Sequence, residues 1–307
     1  MIIMKRFPLN VLFMTLFVLF ISLSVHAETV CPTVKDSLKH SRFEAKTEEM
    51  LDKVFKPDPE LVADSIIKVF DDTPSFGIYK DNYFAVGTDL FHKPDRSNSD
   101  AKFQISVIQR LTNSVLPFKT YLFLTYTQLA IWDVFKESFP FRDINFNPTL
   151  GLGKPLVHNN RYLGDIAIQL EHESNGKDGD DSRSWNKVSF AGQFKINRHW
   201  SYYTKLWIPI VDGENNRDLV RYKGWATCAL SYNQKDKYNV SVILNKRPGF
   251  MNANLTVNAS YRLFKKENQY LFFEFYNGYG ENLLDYNEFR QRFRLGFVIK
   301  PNFRFIY

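Results

Sequence analysis

Residues 172 to 186 read His-Glu-Ser-Asn-Gly-Lys-Asp-Gly-Asp-Asp-Ser-Arg-Ser-Trp-Asn. The stretch holds a base, a hydroxyl and a carboxamide, the side chains that nucleophilic catalysis needs. The hydroxyl of Ser174 is a weak nucleophile until a neutral imidazole, here His172, takes its proton. A third group must hold that ring in the right tautomer and orientation. Asn186 can do so by accepting from the other ring N–H through its amide oxygen; being uncharged, it stabilises the imidazolium less than Asp would. A His-x-Ser pair alone is a weak signal, because polar residues collect at strand tips. The elements that carry these residues therefore decide the reading.

Those elements alternate. From Arg161 to Ser174, Tyr162, Ile166, Ile168, Leu170 and His172 share one parity, and Asp165, Gln169, Glu171 and Glu173 the other. Successive strand side chains point to opposite faces, so His172 and Ser174 belong with the apolar set. In the following strand Asn186, Val188, Phe190, Phe194 and Ile196 oppose Lys187, Ser189, Gln193, Lys195 and Asn197. If the two strands form a hairpin, Asn186 comes down beside His172 and Ser174 on the apolar side. Glu173 falls on the polar side, where a structural ion pair with Lys or Arg is its expected role.

The same period of two runs from about Phe76 to Tyr307,. Twelve candidate strands start near residues 76, 101, 117, 145, 161, 186, 199, 219, 238, 251, 268 and 289. In the clearest, Met251, Ala253, Leu255, Val257, Ala259 and Tyr261 line one face, and Asn252, Asn254, Thr256, Asn258, Ser260 and Arg262 the other. In the last, Phe289, Phe293, Leu295, Phe297, Ile299, Phe303, Phe305 and Tyr307 alternate with Arg290, Arg292, Arg294, Lys300, Asn302 and Arg304. A sandwich seldom opposes such polar and apolar faces, whereas a barrel with a polar lumen and a lipid-facing outside does. Mean hydropathy is only −0.31, yet 16% of residues are aromatic, with 29 Phe and 16 Tyr. Membrane strands contribute only alternate apolar residues, so they escape hydropathy. The expected fold is all-β: a twelve-stranded antiparallel transmembrane β-barrel over 76–307 with a short N-terminal extension over 28–75. Residues 1–27, with Lys5, Arg6, an apolar run and Val25-His26-Ala27, read as a secretory signal peptide,. A polar group facing lipid with no partner costs roughly 2–7 kcal/mol, so a base and nucleophile on that wall imply chemistry on lipid.

The net charge of +7 comes without a basic run interleaved with stacking aromatics, so no nucleic-acid partner is expected,. The only two cysteines, Cys31 and Cys228, can form one disulfide but no framework and no metal site,. The stretch Lys177-Asp178-Gly179-Asp180-Asp181-Ser182 offers hard oxygen ligands suited to Ca²⁺, but on composition alone a solvated acidic turn is the favoured reading.

The segment His172, Ser174, Asn175, Gly176, Lys177, Ser182, Arg183, Ser184, Trp185 and Asn186 resembles the active segment of the outer-membrane phospholipases A. The resemblance extends to Tyr126-Thr127-Gln128 with Trp132, to Ser138-Phe139-Pro140-Phe141-Arg142, and to residues 279–287, and so to most of the barrel. It implies a barrel of the outer membrane that hydrolyses acyl esters of phospholipids and lysophospholipids with Ca²⁺, active as a homodimer. Ser174 resembles the nucleophile, His172 the base and Asn186 the orienting residue; the Gly176 amide resembles the oxyanion donor. The Lys177 carbonyl and Ser182 match calcium positions, and Ser138 matches the residue that completes the partner's calcium site. Gln128 matches a dimer-interface residue, and Trp132 lies near the substrate cleft. One departure bears on calcium: the family's carboxylate falls at Gly179, where Asp178, Asp180 or Asp181 must substitute. The alternatives to a phospholipase are a non-enzymatic outer-membrane barrel, either a narrow porin or a structural protein, and an acyl hydrolase of lipopolysaccharide.

Overall fold

In a bilayer every backbone N–H and C=O must be paired internally, and strands achieve that only by closing their sheet on itself. The computed structural model describes residues 67–68, 70–158, 161–210, 214–234, 237–264 and 268–300 and shows such a closed sheet. Its strands are β1 (Phe76–Ile78), β2 (Asn82–Asp89), β3 (Ser99–Arg110), β4 (Tyr121–Trp132), β5 (Phe141–His158), β6 (Arg161–Ser174), β7 (Ser184–Lys195), β8 (Trp200–Ile210), β9 (Ala226–Gln234), β10 (Tyr238–Lys246), β11 (Ala253–Arg262), β12 (Gln269–Gly278) and β13 (Arg290–Ile299). From β2 onward each strand pairs antiparallel with its sequence neighbour, and β13 closes the ring on β2, with Phe297 opposite Phe84. Twelve strands form the barrel, as the alternation predicts.

β1 adds no thirteenth stave. It pairs with Val107–Gln109 of β3, while β2 pairs with Ser99–Gln104. Because β4 occupies the other edge of β3, β1 and β2 lie along one edge. They are a single stave interrupted at Tyr79–Asp81, where Tyr79 turns inward and is buried.

Four sequence-based expectations need correction. The strand expected near 219 begins at Ala226; Leu219–Lys223 is a helical turn, held by the Gly224 N–H to the Val220 carbonyl and buried at Leu219. Its Val220 and Tyr222 pack beside a buried cluster of Trp185, Leu219, Leu283 and Tyr286, and this tertiary packing outweighs the strand-like pattern. The strand expected near 117 begins at Tyr121, after a 3₁₀ turn at Pro117–Lys119 with Pro at its start. Tyr162 lies on the lumen side rather than the outer wall. Between Val157↔Tyr162 and Leu156↔Gly164 the register of β5 against β6 slips by one residue, and Gly164 has φ 144°. A residue inserted in one strand inverts the alternation on one side of it, so the parity that holds from Ile166 to His172 fails at Tyr162. Finally, β13 runs Arg290–Ile299, so Phe289 precedes it, and Phe303, Arg304, Phe305 and Tyr307 lie outside the described residues. The signal peptide, Cys31 and nearly all of the extension also lie outside them. Cys228 sits on β9, where the Tyr202 hydroxyl donates to its Sγ at 3.4 Å.

The two sides of the wall differ as the alternation requires. Phe293, Leu295 and Phe297 of β13 are exposed outward, while Arg292 and Arg294, of the opposite parity, are buried in the lumen. There Arg294 Nε donates to Asp100 at 2.8 Å and Nη1 to Glu274 at 2.9 Å, with Glu281 as a further partner. Lys102 Nζ bonds Glu274 at 2.9 Å and Glu281 at 3.1 Å, and Arg292 lies 3.8 Å from Asp100. Three cations thus face three carboxylates, as buried charges require. Glu281 belongs to the β12–β13 loop. Burial alone would raise its carboxyl pKa; the Arg294 and Lys102 charges and hydrogen bonds outweigh burial and hold it down at about 2.

Candidate active site

The hairpin β6–β7 carries the site. Its register sets His172 directly opposite Asn186, Glu173 opposite Trp185 and Ser174 opposite Ser184. His172 and Asn186 both point outward, as parity predicts, and the His172 Nδ1–Asn186 Oδ1 distance is 2.9 Å. Because an amide oxygen can only accept, Nδ1 carries the proton and Nε2 is left with the free lone pair of a base. Ser174 ends β6 two residues further along the same face and is half-buried. Among the described residues its hydroxyl makes no hydrogen bond, to His172 or elsewhere. Such contacts tighten when substrate arrives. Below the pair, Leu124, Tyr126, Pro148, Leu150, Leu170 and Val188 line a groove of about 650 Å³ that also reaches His172 and Asn186. A polar site thus sits at one end of an apolar trough on the outer wall.

The loop after Ser174 is built around Asn175, which is buried and for which sequence reasoning assigned no role. Its Oδ1 accepts from Arg183 N at 2.9 Å and Lys177 N at 3.4 Å, and its Nδ2 donates to the Asp181 carbonyl at 2.9 Å. These bonds turn the chain at Gly176, whose φ of 64° is a left-handed conformation suited to glycine,. Among the described residues the Gly176 N–H has no partner, whereas its neighbours' amides do. An exposed, unpaired N–H two residues from Ser174 is what an oxyanion donor must be. Asn147 on β5 is a second unassigned contributor; its Nδ2 donates to the His172 carbonyl at 2.8 Å. Asn175 falls within the matched segment although no role follows from its residue type, whereas Asn147 lies on a strand with no distinguishing pattern in the sequence.

The residues matched to calcium are arranged as follows. Gly179–Asp181 form a 3₁₀ turn, and Asp178 Oδ1 accepts from Gly179 N at 2.7 Å. Asp180 and Asp181 are exposed, and among the described residues neither carboxylate is ion-paired. Lys177 Nζ donates to the Arg142 carbonyl at 3.0 Å and so ties this loop to the start of β5. The preceding loop carries Ser138, exposed and at φ 62°, and the Trp132 indole N–H donates to the Phe139 carbonyl at 2.7 Å. Trp132 stacks on Phe141 with ring centroids 5.2 Å apart. Among the described residues no three His, Cys, Asp or Glu side chains converge on a metal position. A cation here would draw on the Lys177 carbonyl, the Ser182 hydroxyl and the flanking carboxylates. Those are all hard oxygens, the donor set Ca²⁺ takes, so the loop fits that ion. Gln128 lies on the outward parity of β4 and its Oε1 accepts from the Tyr126 hydroxyl at 3.1 Å.

On the lumen side the expectation for Glu173 holds. It is ion-paired to Lys223 at 2.7 Å and Lys187 at 3.1 Å, and it accepts from the Trp185 indole N–H at 2.8 Å.

A closed barrel with a charged lumen and polar functional groups on its lipid-facing wall defines a class, an enzyme of the bacterial outer membrane built on a β-barrel. The chain belongs to the Phospholipase A1 family, which it matches over residues 78–299. It is 31% identical over 211 residues to phospholipase A1 of Klebsiella pneumoniae, covering 66% of this chain and 71% of the relative. It is 30% identical over 211 residues to phospholipase A1 of Escherichia coli K12, with the same coverage. Among solved structures it is similar to outer membrane phospholipase A from Escherichia coli, at TM-score 0.65 and 25% identity, covering 74% of this chain and 94% of that one. It is also similar to the Salmonella typhi outer membrane phospholipase dimer with bound calcium, at TM-score 0.67 and 26% identity, covering 79% of this chain and 100% of that one.

Proposed function

We propose that this phospholipase hydrolyses acyl esters of phospholipids and lysophospholipids at either position through Ser174, His172 and Asn186, with Ca²⁺, as a homodimer in the outer membrane. The observation that carries the reading is the His172–Asn186 pair at 2.9 Å on the lipid-facing wall, with Ser174 next on the same face. Ser174 Oγ attacks the ester carbonyl while its proton passes to His172 Nε2. Asn186 Oδ1 accepts from Nδ1–H throughout and keeps the ring turned toward the serine. The Gly176 N–H donates to the carbonyl oxygen as it becomes an oxyanion; a donor of this kind contributes roughly 3–4 kcal/mol. Collapse releases the lysophospholipid alkoxide, which takes the proton from His172. Water, deprotonated by the same ring, then frees the fatty acid from Ser174.

Lys177, Ser182 and the neighbouring aspartates would hold the calcium ion, and Ser138 would complete the site of the partner subunit. Bound there, the ion supplies positive charge near the oxyanion. Dimerisation is supported by the apolar trough, by Gln128 on the outer wall, where the amide NH₂, unlike the Oε1 that accepts from Tyr126, calls for a polar partner,, and by the Salmonella typhi dimer with bound calcium. The charge network across the lumen weighs against the porin alternative.

The test is fatty-acid release from mixed phospholipid–detergent micelles by the refolded chain, with Ca²⁺ or EDTA, for wild type and Ser174→Ala. Release that needs both Ca²⁺ and Ser174 is expected. Release without either, or none from a folded protein able to dimerise, overturns the proposal. Hydroxylated fatty acids from lipopolysaccharide would move the activity to the other acyl hydrolase.

A further inference from the structure

The catalytic hairpin is held from outside itself, by the connection between β8 and β9. Three contacts run from residues 214–224 to the hairpin. Asn215 Nδ2 donates to the Gly179 carbonyl at 2.9 Å. Asn216, fully buried, takes both backbone groups of Ser184: its Oδ1 accepts from Ser184 N at 3.3 Å and its Nδ2 donates to Ser184 O at 2.8 Å. Lys223 Nζ bonds Glu173 at 2.7 Å from the lumen side.

The last contact reaches the triad through a wall one strand thick. Glu173 lies between His172 and Ser174 in sequence but faces inward. Trp185 and Lys187 flank Asn186 in the same way and also face inward. The Glu173 carboxylate gathers Trp185 Nε1, Lys187 Nζ and Lys223 Nζ, and so ties both neighbours of Asn186 to the residue between base and nucleophile. Lys187 also pairs with Glu171 at 3.6 Å and lies over the Trp185 ring at 4.3 Å. Trp185 packs with Leu219 from the helical turn that carries Lys223. Side chains pointing outward from a strand move with those pointing inward, because the backbone between them is shared.

We infer that residues 214–224 are a positioning element for the hydrolytic site, with Glu173 and Asn216 as positioning residues that set the His172–Asn186–Ser174 geometry without touching substrate. The inference rests on the triad proposed above. A strand tip at the membrane surface is where a sheet frays. A misplacement of about 1 Å in a catalytic group can cost about a hundredfold in rate. Four hydrogen bonds to a second loop, itself anchored by the buried Asn216 and Leu219, oppose that fraying.

The experiment compares wild type with Glu173→Gln, Lys223→Met, the double variant and Asn216→Ala, with Ser174→Ala as the activity blank. Four quantities are read on the refolded full chain: kcat and KM for fatty-acid release with Ca²⁺, hydrogen exchange of residues 172–186 against β11–β12, and the unfolding temperature in detergent. Each single variant is expected to lower kcat about tenfold, the equivalent of one well-made hydrogen bond, with KM within about twofold. Exchange should rise in 172–186 and not in β11–β12. The double variant should lose little more than the worse single, because both remove one contact. Unchanged kcat in Glu173→Gln and Asn216→Ala overturns the inference. So do multiplied losses in the double, or losses that follow unfolding temperature with uniform exchange. If wild-type release proves independent of Ser174, the triad reading fails; the exchange pattern then still decides whether the loop holds the hairpin.

Discussion

Replacing Asn186 with Ala removes the one hydrogen bond that orients His172 and leaves the rest of the site in place. The 2.9 Å bond is neutral in the resting enzyme and becomes charge-assisted when the imidazole takes the serine proton,. A hydrogen bond to a charged group contributes about 1.5–3 kcal/mol. The pair lies on the outer wall, with His172 exposed, which places the loss at the low end of that range. At about 1.4 kcal/mol per decade of rate, Asn186→Ala should lower kcat about ten- to thirtyfold. KM should change little, because the bond that is lost is made to the His172 ring. Stability should be unchanged or slightly higher, since Ala is better suited than Asn to a lipid-facing position. The assay is initial-rate fatty-acid release in mixed micelles at saturating Ca²⁺, with the unfolding temperature measured on the same preparation. Ser174→Ala sets the floor, because it removes the nucleophile itself. Two results refute the reasoning: an Asn186→Ala enzyme as inert as Ser174→Ala, which would make the amide part of the reacting centre, or one as fast as wild type, which would leave His172 oriented by something else.

Three further outcomes are expected. Gly164→Ala should cut the yield of folded barrel, because φ there is 144° and the added Cβ would run into the Gln193 carbonyl oxygen; refolding followed by gel mobility reads this, and a normal yield would sink the account of the bulge. Arg294→Met should destabilise the barrel by about 3–5 kcal/mol in urea unfolding, because it leaves three buried carboxylates, Asp100, Glu274 and Glu281, facing two cations, Lys102 and Arg292,. Glu281 should make the barrel acid-sensitive. Its pKa is depressed to about 2 from an ordinary 4.5, so the stability it contributes is complete above pH 4.5 and is lost as pH falls from 4.5 toward 2,. Glu281→Gln should flatten urea stability across that interval, and an unaltered slope would refute the assignment.

Much of the molecule is written in the local order of its residues. Alternation of period two needs only neighbours along the chain. It therefore determined the barrel, the lipid face of Phe293, Leu295 and Phe297 and the lumen face of Arg292 and Arg294. It also determined that His172, Ser174 and Asn186 share a face and that Glu173 turns away from them. What parity lacks is an origin and a partner. An inserted residue at Leu163–Gly164 inverts it, so Tyr162 faces the lumen although its sequence parity says otherwise. Whether Asn186 meets His172 or slides two residues past it depends on the hairpin register, which only the folded sheet decides. The strand expected at 219 became a helical turn because Leu219 found a buried pocket beside Trp185 of β7 and Leu283 of the β12–β13 loop. Asn216 meets Ser184 and Lys223 meets Glu173 across 32 and 50 residues of chain, and no local pattern marks either. Alternation is a property of one strand and is legible in one sequence. Register, bulges and the packing of loops on a barrel rim depend on contacts between distant segments, which only closure of the sheet brings together.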